Sequence, residues 1–347
     1  MKKLSLFDKF LFIINSLLAT VTLLAYFLPY LPPKGFRLIS VLSLGLPVFL
    51  ITNFLFVLYW LFRFKKQLFL SLITLFLGFT YVKSTVEFGH TPEPEGKNDF
   101  SLLTYNVRGF NYNEWSKDTT LKDSIQVFVV KESPDILLFQ EFHKYEFSKY
   151  NKMYPYKAVF YRSFSYGQTI FSKYEIVDSG AFNFDGTGNN IIYADMLIEG
   201  KNVRVYNIHL ESNNVTVDVE RGLADADKEK MASTISRSFV RQQTQIDALI
   251  AQLQSYKGRY ILAGDFNNTA YSYIYNELRR SADLQDSFEE AGSGFGKTYE
   301  FKYYPLRIDF VLADAGFHIK SHRNYNNYYS DHFPVKVVFG KDWLLDN

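Results

Sequence analysis

The chain contains no cysteine, which excludes a disulfide framework, a thiolate zinc site and a cysteine nucleophile. Acids are nearly missing from its first 83 residues, which hold nine Lys/Arg against the single Asp8 and so carry +8. The whole chain carries +2, so the remaining 264 residues carry 2 − 8 = −6. The basic surplus therefore does not point to nucleic acid, and the larger part has no basic stripe longer than two residues. Internal repeats and low-complexity tracts are also lacking. Aromatic surface is plentiful: 18% of the residues are Phe, Trp or Tyr, far more than a disordered chain carries. A length of 347 residues suggests about two modules at roughly 100–200 residues each.

The first module is read from its uncharged runs: 24 residues between Lys9 and Lys34, 25 between Arg37 and Arg63, and 16 between Lys66 and Lys83. A helix needs about 20 apolar residues to cross a bilayer core, or about 17 at the short end. The first two runs suffice, and the third is extended by Phe64 and the aliphatic stems of Lys66 and Lys83. Tyr26, Tyr30, Tyr59, Trp60 and Tyr81 near the run ends match an interfacial belt. A cleaved signal peptide fits poorly, because no small-residue cleavage site follows the first run and two more apolar runs come after it. The sequence predicts a membrane anchor over residues 1–83 with three transmembrane helices, about 10–33, 38–62 and 66–83. Lys2, Lys3, Lys9, Arg63, Lys65 and Lys66 on one side outnumber Lys34, Arg37 and Lys83 on the other. That asymmetry places the N-terminus in the cytoplasm and residues 84–347 outside a multi-pass cell (inner) membrane protein. A re-entrant third run would reverse the placement. Asn53, mid-span in the second run, is expected to make an interhelical hydrogen bond.

Residues 84–99 are polar, with Pro92, Pro94 and Gly96, and form a linker. Over 100–347, strand-length runs occur at 100–106, 135–140, 168–172, 190–199, 203–210, 259–265, 307–313 and 333–339. Helical spacing appears at Leu121, Ile125, Phe128 and Val129. A longer helix is expected near 226–256, after a polar surface loop over 213–232. Strands with helices between them predict an α/β or α+β domain with one core.

One pattern recurs in this domain: an apolar strand ends in Asn, Asp, Glu or His. The residues are Asn106 after FSLLTY, Glu141 after DILLFQ, His209 in VRVYNIHL, Asp265 and Asn267 in YILAGDFN, Asp309 in RIDFVL, and Asp331 and His332 in SDHFPV. Strand ends along one sheet edge converge, so these side chains are expected to share a cleft. Hard oxygen donors without thiolates suit Mg²⁺, Mn²⁺ or Ca²⁺. Carboxylates, amides and histidines together suit metal-assisted attack of water on a phosphate ester.

Asn106 in TYNVRG, Gln140-Glu141, His209 in NIHL, Gly264-Asp265-Phe266-Asn267, Arg307-Ile308-Asp309 and Ser330 to Val335 stand in the order found in the endonuclease/exonuclease/phosphatase superfamily. The chain resembles a membrane-anchored bacterial member, with the likeness covering residues 100–340. The resemblance implies a four-layer sandwich, two packed β-sheets flanked by helices, here preceded by the three predicted transmembrane helices. It also implies roles. Glu141 would be the main Mg²⁺ ligand, with Asn106 and Asp331 near the metal. Asp265 would orient or deprotonate the attacking water, and Asn267 would hold that water or the phosphate. His332, held in tautomer by Asp309, would contact the scissile phosphate or serve as base. His209 would bind the phosphate or protonate the leaving oxygen.

The expected activity is a metal-dependent hydrolase of phosphodiester, or phosphomonoester, bonds. Its partners are the lipid bilayer and a phosphate ester: nucleic acid, lipid headgroup or small nucleotide. A nuclease acting on extracytoplasmic DNA or RNA is the first alternative, which the −6 charge disfavours. A non-catalytic tethered binding protein is the second. A decayed site would have lost at least one of Glu141, Asp265, Asn267, Asp309, Asp331 or His332, and all are present.

Overall fold

Side-chain alternation along the strands decides the architecture. In Phe100–Asn106 (β1), Phe100 and Leu102 enter one apolar cluster while Leu103 and Tyr105 enter another on the opposite face. That is the period of two expected of a strand buried on both sides. The structure, a computed structural model, describes residues 4–91, 93–94, 96, 99–213, 228–302 and 304–341. After β1 the described strands are β2 (Ile136–His143), β3 (Tyr156–Tyr161), β4 (Tyr166–Ser172), β5 (Glu175–Asn183), β6 (Asn190–Ile198) and β7 (Lys201–His209). They continue with β8 (Arg259–Asp265), β9 (Leu284–Asp286), β10 (Asp309–Asp314), β11 (His318–Asn324) and β12 (Val335–Gly340).

They form two six-stranded mixed sheets, ordered β11-β12-β1-β2-β4-β3 and β5-β6-β7-β8-β10-β9. Each sheet has one parallel pair, β1 with β2 and β7 with β8. Parallel neighbours need a crossover, and the helices Leu121–Glu132 and Lys228–Ser255 lie between the paired strands in sequence. The sheets pack face to face through Leu102, Ile136 and Leu138 of one and Val203, Val205 and Ile261 of the other. Outside, Ile125, Phe128 and Val129 cover Leu103 and Leu137, while Ile246, Leu249 and Leu253 cover Tyr206 and Leu262. This is the expected four-layer sandwich. Each of the eight expected strand runs falls on a strand, and the helix expected near 226–256 is described from Lys228. Of the polar loop expected over 213–232, residues 214–227 lie outside the described residues, as do Lys2 and Lys3 of the charge argument.

The N-terminal helices depart from expectation in one respect. Leu6–Tyr30 and Arg37–Phe62 are long and apolar enough to cross a membrane. The third run instead breaks at Gly78 into Leu68–Leu77 and Phe79–Lys83. A ten-residue helix is by itself shorter than the ~17 residues a crossing needs. Tyr26 packs against the break: its ring occupies the space that a Cβ at Gly78 would need, and its hydroxyl donates to Thr74 O at 2.9 Å. Asn53 behaves as the sequence predicts, its amide donating to Thr22 Oγ1 on the neighbouring helix at 2.8 Å. Asn15 joins all three helices, donating to Ser71 Oγ at 2.6 Å and accepting from Trp60 Nε1 at 2.9 Å.

One buried histidine sets a pH response of the fold. His322 on β11 bonds Ser287 Oγ through Nδ1 (2.8 Å) and Asn324 Oδ1 through Nε2 (3.0 Å). Those partners suit the neutral ring, and burial pushes its pKa down from 6.5 to about 4. The unfolded chain then binds this proton more readily than the folded one. Stability from this group is complete above about pH 6.5 and is lost as the pH falls toward about 4. The thermal midpoint of His322→Gln is expected to fall less than that of the parent between about pH 7 and about pH 4. Equal falls would contradict the assignment.

Candidate active site

The register of the strands brings the acidic ends together. In the parallel pair β7/β8, His209 lies opposite Asp265, and in the antiparallel pair β8/β10, Asp265 lies opposite Asp309. In the facing sheet, Asn106 ends β1 beside Gln140 of β2. Below them a polar clasp joins the sheets: Gln140 Nε2 donates to Asn207 Oδ1 (2.6 Å), and Asn207 Nδ2 donates to Phe139 O (3.0 Å) and Thr169 O (2.9 Å). All these groups are buried, so the clasp is costly to break.

Asp265 is the hub. Its Oδ2 accepts from Asn106 Nδ2 at 3.0 Å and Asn267 Nδ2 at 3.2 Å, and its Oδ1 accepts from the Asn267 backbone N–H at 2.8 Å. The Nε2 atoms of His332 and His209 lie 3.6 and 3.7 Å from the same Oδ2. The preceding Gly264 has φ 137°, and a Cβ there would collide with Ile208 O. A close approach of β7 to β8 thus requires the glycine of the GDFN stretch.

Glu141 reaches the site through a local distortion. The β2/β4 register shifts between Phe139 and Phe142, and Glu141 takes φ 53°. A bulge of this kind re-aims a side chain. Glu141 Oε1 accepts from Asn106 Nδ2 at 3.3 Å and lies 3.8 Å from His209 Nε2. His332 bonds Asp309 through Nδ1, at 3.0 Å to Oδ2. The loop bearing Asp331 is tied down where Ser330 Oγ donates to Asn106 O at 2.9 Å. All eight predicted residues, Asn106, Glu141, His209, Asp265, Asn267, Asp309, Asp331 and His332, are thus brought into one linked constellation. Glu141, Asp265, Asn267, Asp331 and His332 line a cleft of about 230 Å³.

Arg108 was missed in the sequence. Its Nη1 pairs with an Asp331 carboxylate oxygen at 2.9 Å, and its guanidinium lies over Trp115 at 4.7 Å. The only signal was its place two residues after Asn106. His143, near Glu141 in sequence, stacks on Tyr112 at 4.0 Å and does not line the cleft.

The charges are unevenly compensated. Burial lifts Asp265 to about 7 and pushes Glu141 above the ordinary glutamate range. Burial alone would lower His332, but Asp309 and Asp265 outweigh it and raise it to about 10. Burial, with the neighbouring His332, holds His209 down at about 3 and so neutral. Burial is what makes both carboxylates resist ionisation, and a divalent cation beside them would favour their charged forms. The donor set of carboxylates and an amide, without thiolate, fits a hard ion. A tighter trio also exists: Asp265, Asp309 and His332 bring one ligand atom each within 4.8 Å of one another. Within it His332 Nδ1 is already bonded to Asp309, an arrangement that orients an imidazole for proton chemistry.

A family model described as the endonuclease/exonuclease/phosphatase family matches residues 103–332. A second model, a domain of unknown function, matches residues 8–85. No curated protein matches the chain. Among solved structures the chain is similar to an endonuclease/exonuclease/phosphatase from Bacteroides vulgatus, at 20% identity and TM-score 0.54, over 70% of this chain and 99% of that one. It is similar to a protein of that family from Bacteroides thetaiotaomicron, at 18% identity and TM-score 0.50, over 72% and 96% of the two chains. It is also similar to the Bacteroides thetaiotaomicron mannosyl-6-phosphatase, at 17% identity and TM-score 0.50, over 69% and 98%. At these identities the likeness is one of fold.

Proposed function

The chain belongs to the endonuclease/exonuclease/phosphatase family and is a hydrolase of phosphoric ester bonds; from that premise we propose a membrane-anchored, divalent-metal-dependent phosphodiesterase whose catalytic domain, residues 100–347, lies outside the cell membrane. The observation that carries the chemistry is the convergence of two amides and two imidazoles on the buried Asp265. Glu141, with Asn106 and Asp331, would hold the ion, Mg²⁺ or alternatively Mn²⁺ or Ca²⁺. When bound, the ion supplies positive charge that offsets the phosphate oxygens and eases attack by water.

The remaining work falls to the side chains. His332 stands between Asp309 and Asp265, an environment that favours the imidazolium, so it donates to a phosphate oxygen and does not act as base. Asp265 accepts the proton of the attacking water, and Asn267 holds that water in place. His209, kept neutral by burial, donates a hydrogen bond to the phosphate. In the net reaction a phosphorus–oxygen bond forms to water, the bond to one alcohol breaks, and one water proton reaches the departing oxygen. The products are a phosphomonoester and an alcohol.

Three passes through the membrane are supported by how the anchor meets the domain. The end of the first helix and the segment after it pack on the domain: Lys34 N donates to Gln243 Oε1 at 2.8 Å and Asn276 Nδ2 to Pro29 O at 3.2 Å. Thr85, just past the third run, bonds Tyr271 of the domain. A domain on the side of residues 26–45 requires residues 68–83 to run back across despite the break at Gly78. With two passes it would stand beside Arg63 instead.

The test uses the full-length protein in detergent with bis(4-nitrophenyl) phosphate, 4-nitrophenyl phosphate and plasmid DNA, each with Mg²⁺ or with EDTA. Hydrolysis of the diester that EDTA abolishes and Mg²⁺ restores is the expected result. Preference for DNA would favour the nuclease. No turnover from folded protein would favour the binding protein.

A further inference from the structure

The cleft forks around Glu141. One branch, of about 230 Å³, has Asp265, Asn267 and His332 on its floor and Phe301, Tyr304 and Leu306 on its side. The other, of about 150 Å³, is walled by Arg162, Ser163, Gln168, Asn190 and His209. The first arm thus carries a patch of apolar side chains, Leu44, Phe301, Leu306 and Ile308, beside its polar floor, whereas no aliphatic or phenylalanine side chain lines the second, and the candidate metal ligand borders both. A phosphomonoester has a single substituent and would leave one arm unused. A diester with two unlike alcohols would fill both.

The apolar arm has a wall residue from outside the catalytic domain. Leu44 lines it, and Leu44 belongs to the short helical turn Val41–Gly45 in the first part of the second apolar segment, just before the regular α-helix Leu46–Phe62. Its backbone carbonyl accepts from the Tyr304 hydroxyl at 3.4 Å, so anchor and wall are joined. This first part of the segment is two-faced: Ser40 and Ser43 are buried, while Leu38 and Leu42 are 58% and 59% exposed. An exposed apolar face beside a membrane helix suits insertion among headgroups. The helix Leu46–Phe62 begins two residues after Leu44. Its 17 residues rise about 25 Å at ~1.5 Å each, close to the ~30 Å hydrocarbon core. That puts the membrane surface near Leu46 and the apolar arm at headgroup depth.

We propose that the site takes an amphiphilic phosphodiester from the membrane surface, with the apolar substituent against Leu44, Phe301 and Leu306 and the polar alcohol in the arm bearing Arg162. This rests on the membrane-anchored phosphodiesterase above. The anchor then has a second task, forming part of the substrate site. Leu44 and Leu306 side chains offer no hydrogen bonds to a sugar or a nucleotide, whereas an alkyl chain gains from burial beside them.

The test compares methyl 4-nitrophenyl phosphate with dodecyl 4-nitrophenyl phosphate, hydrolysed by the full-length protein in dodecyl maltoside micelles with Mg²⁺. The quantity read is the ratio of kcat/KM, dodecyl over methyl, in the parent and in Leu44→Gln. Phe301→Ser serves as a second variant should Leu44→Gln fail to fold. The parent is expected to prefer the dodecyl ester by about 10-fold or more, and each folded variant to lose most of that preference. A parent ratio near one, with the methyl ester hydrolysed, overturns this proposal and leaves the phosphodiesterase standing. A high ratio that both folded variants retain assigns the gain to micelle partition and also overturns it. Hydrolysis of neither ester removes the phosphodiesterase reading, and the proposal falls with it.

Discussion

Asp265→Asn is expected to lower turnover of a phosphodiester by about 10³-fold or more while the protein stays folded. The substitution keeps the shape of the side chain, and the bonds from Asn106 and Asn267 to Asp265 Oδ2 and Oδ1 have an acceptor left on one side. What it removes is the buried carboxylate that stands next to both imidazoles and that takes the water proton in the proposed reaction. The uncharged amide would also leave His332 with Asp309 alone, so part of the loss comes from a weaker donor to the phosphate. Turnover with saturating Mg²⁺, set beside the thermal midpoint, checks the claim. A midpoint close to the parent's with turnover within about 10-fold would remove Asp265 from the role of base.

Arg307→Met carries the largest expected cost in stability, about 3–5 kcal/mol. Arg307 Nη1 pairs with Asp286 Oδ2 at 2.6 Å, and the two side chains are only 5% and 0% exposed. Asp286 also accepts from the Tyr275 hydroxyl at 2.5 Å and the Phe288 N–H at 2.9 Å. The pair with Arg307 holds Asp286 below the ordinary aspartate range although burial pushes the other way. Methionine fills most of the volume but leaves a carboxylate without its closest cation in a site that water does not reach. The contrast is Arg280→Met, whose guanidinium lies at the surface beside Glu277 and whose loss is expected to cost under about 1 kcal/mol. Urea unfolding of both variants measures the difference, and equal midpoints would contradict it.

The parts of this molecule that the sequence reveals are those that two faces of apolar packing enforce. β1, β2, β7 and β8 are central strands, covered on both sides, and each is rich in apolar residues and ends in or near a polar one. The four strands it does not reveal, β3, β5, β9 and β11, are the four edges of the two sheets. An edge strand such as His318–Asn324 is partly solvated and carries charge that discourages further pairing, so its sequence looks like a loop. The site divides in the same way. Asp265, His209 and Asp309 were legible because strand register alone aligns them. The aim of Glu141 depends on a bulge, and the pairing of Arg108 with Asp331 joins residues more than two hundred positions apart. Neither leaves a periodic trace. Leu44 was invisible for another reason: nothing in an apolar run tells that one of its residues faces a catalytic cleft.

The central claim is that these strand ends hold a divalent cation through Glu141. The most direct measurement is titration of the full-length protein in detergent with Mn²⁺, with the free ion followed by electron paramagnetic resonance. The parent is expected to remove about one ion per chain from solution, in competition with Mg²⁺. Glu141→Gln, shown to be folded by its thermal midpoint, is expected to lose that binding. No saturable binding by the parent, or equal binding by parent and Glu141→Gln, would contradict the account.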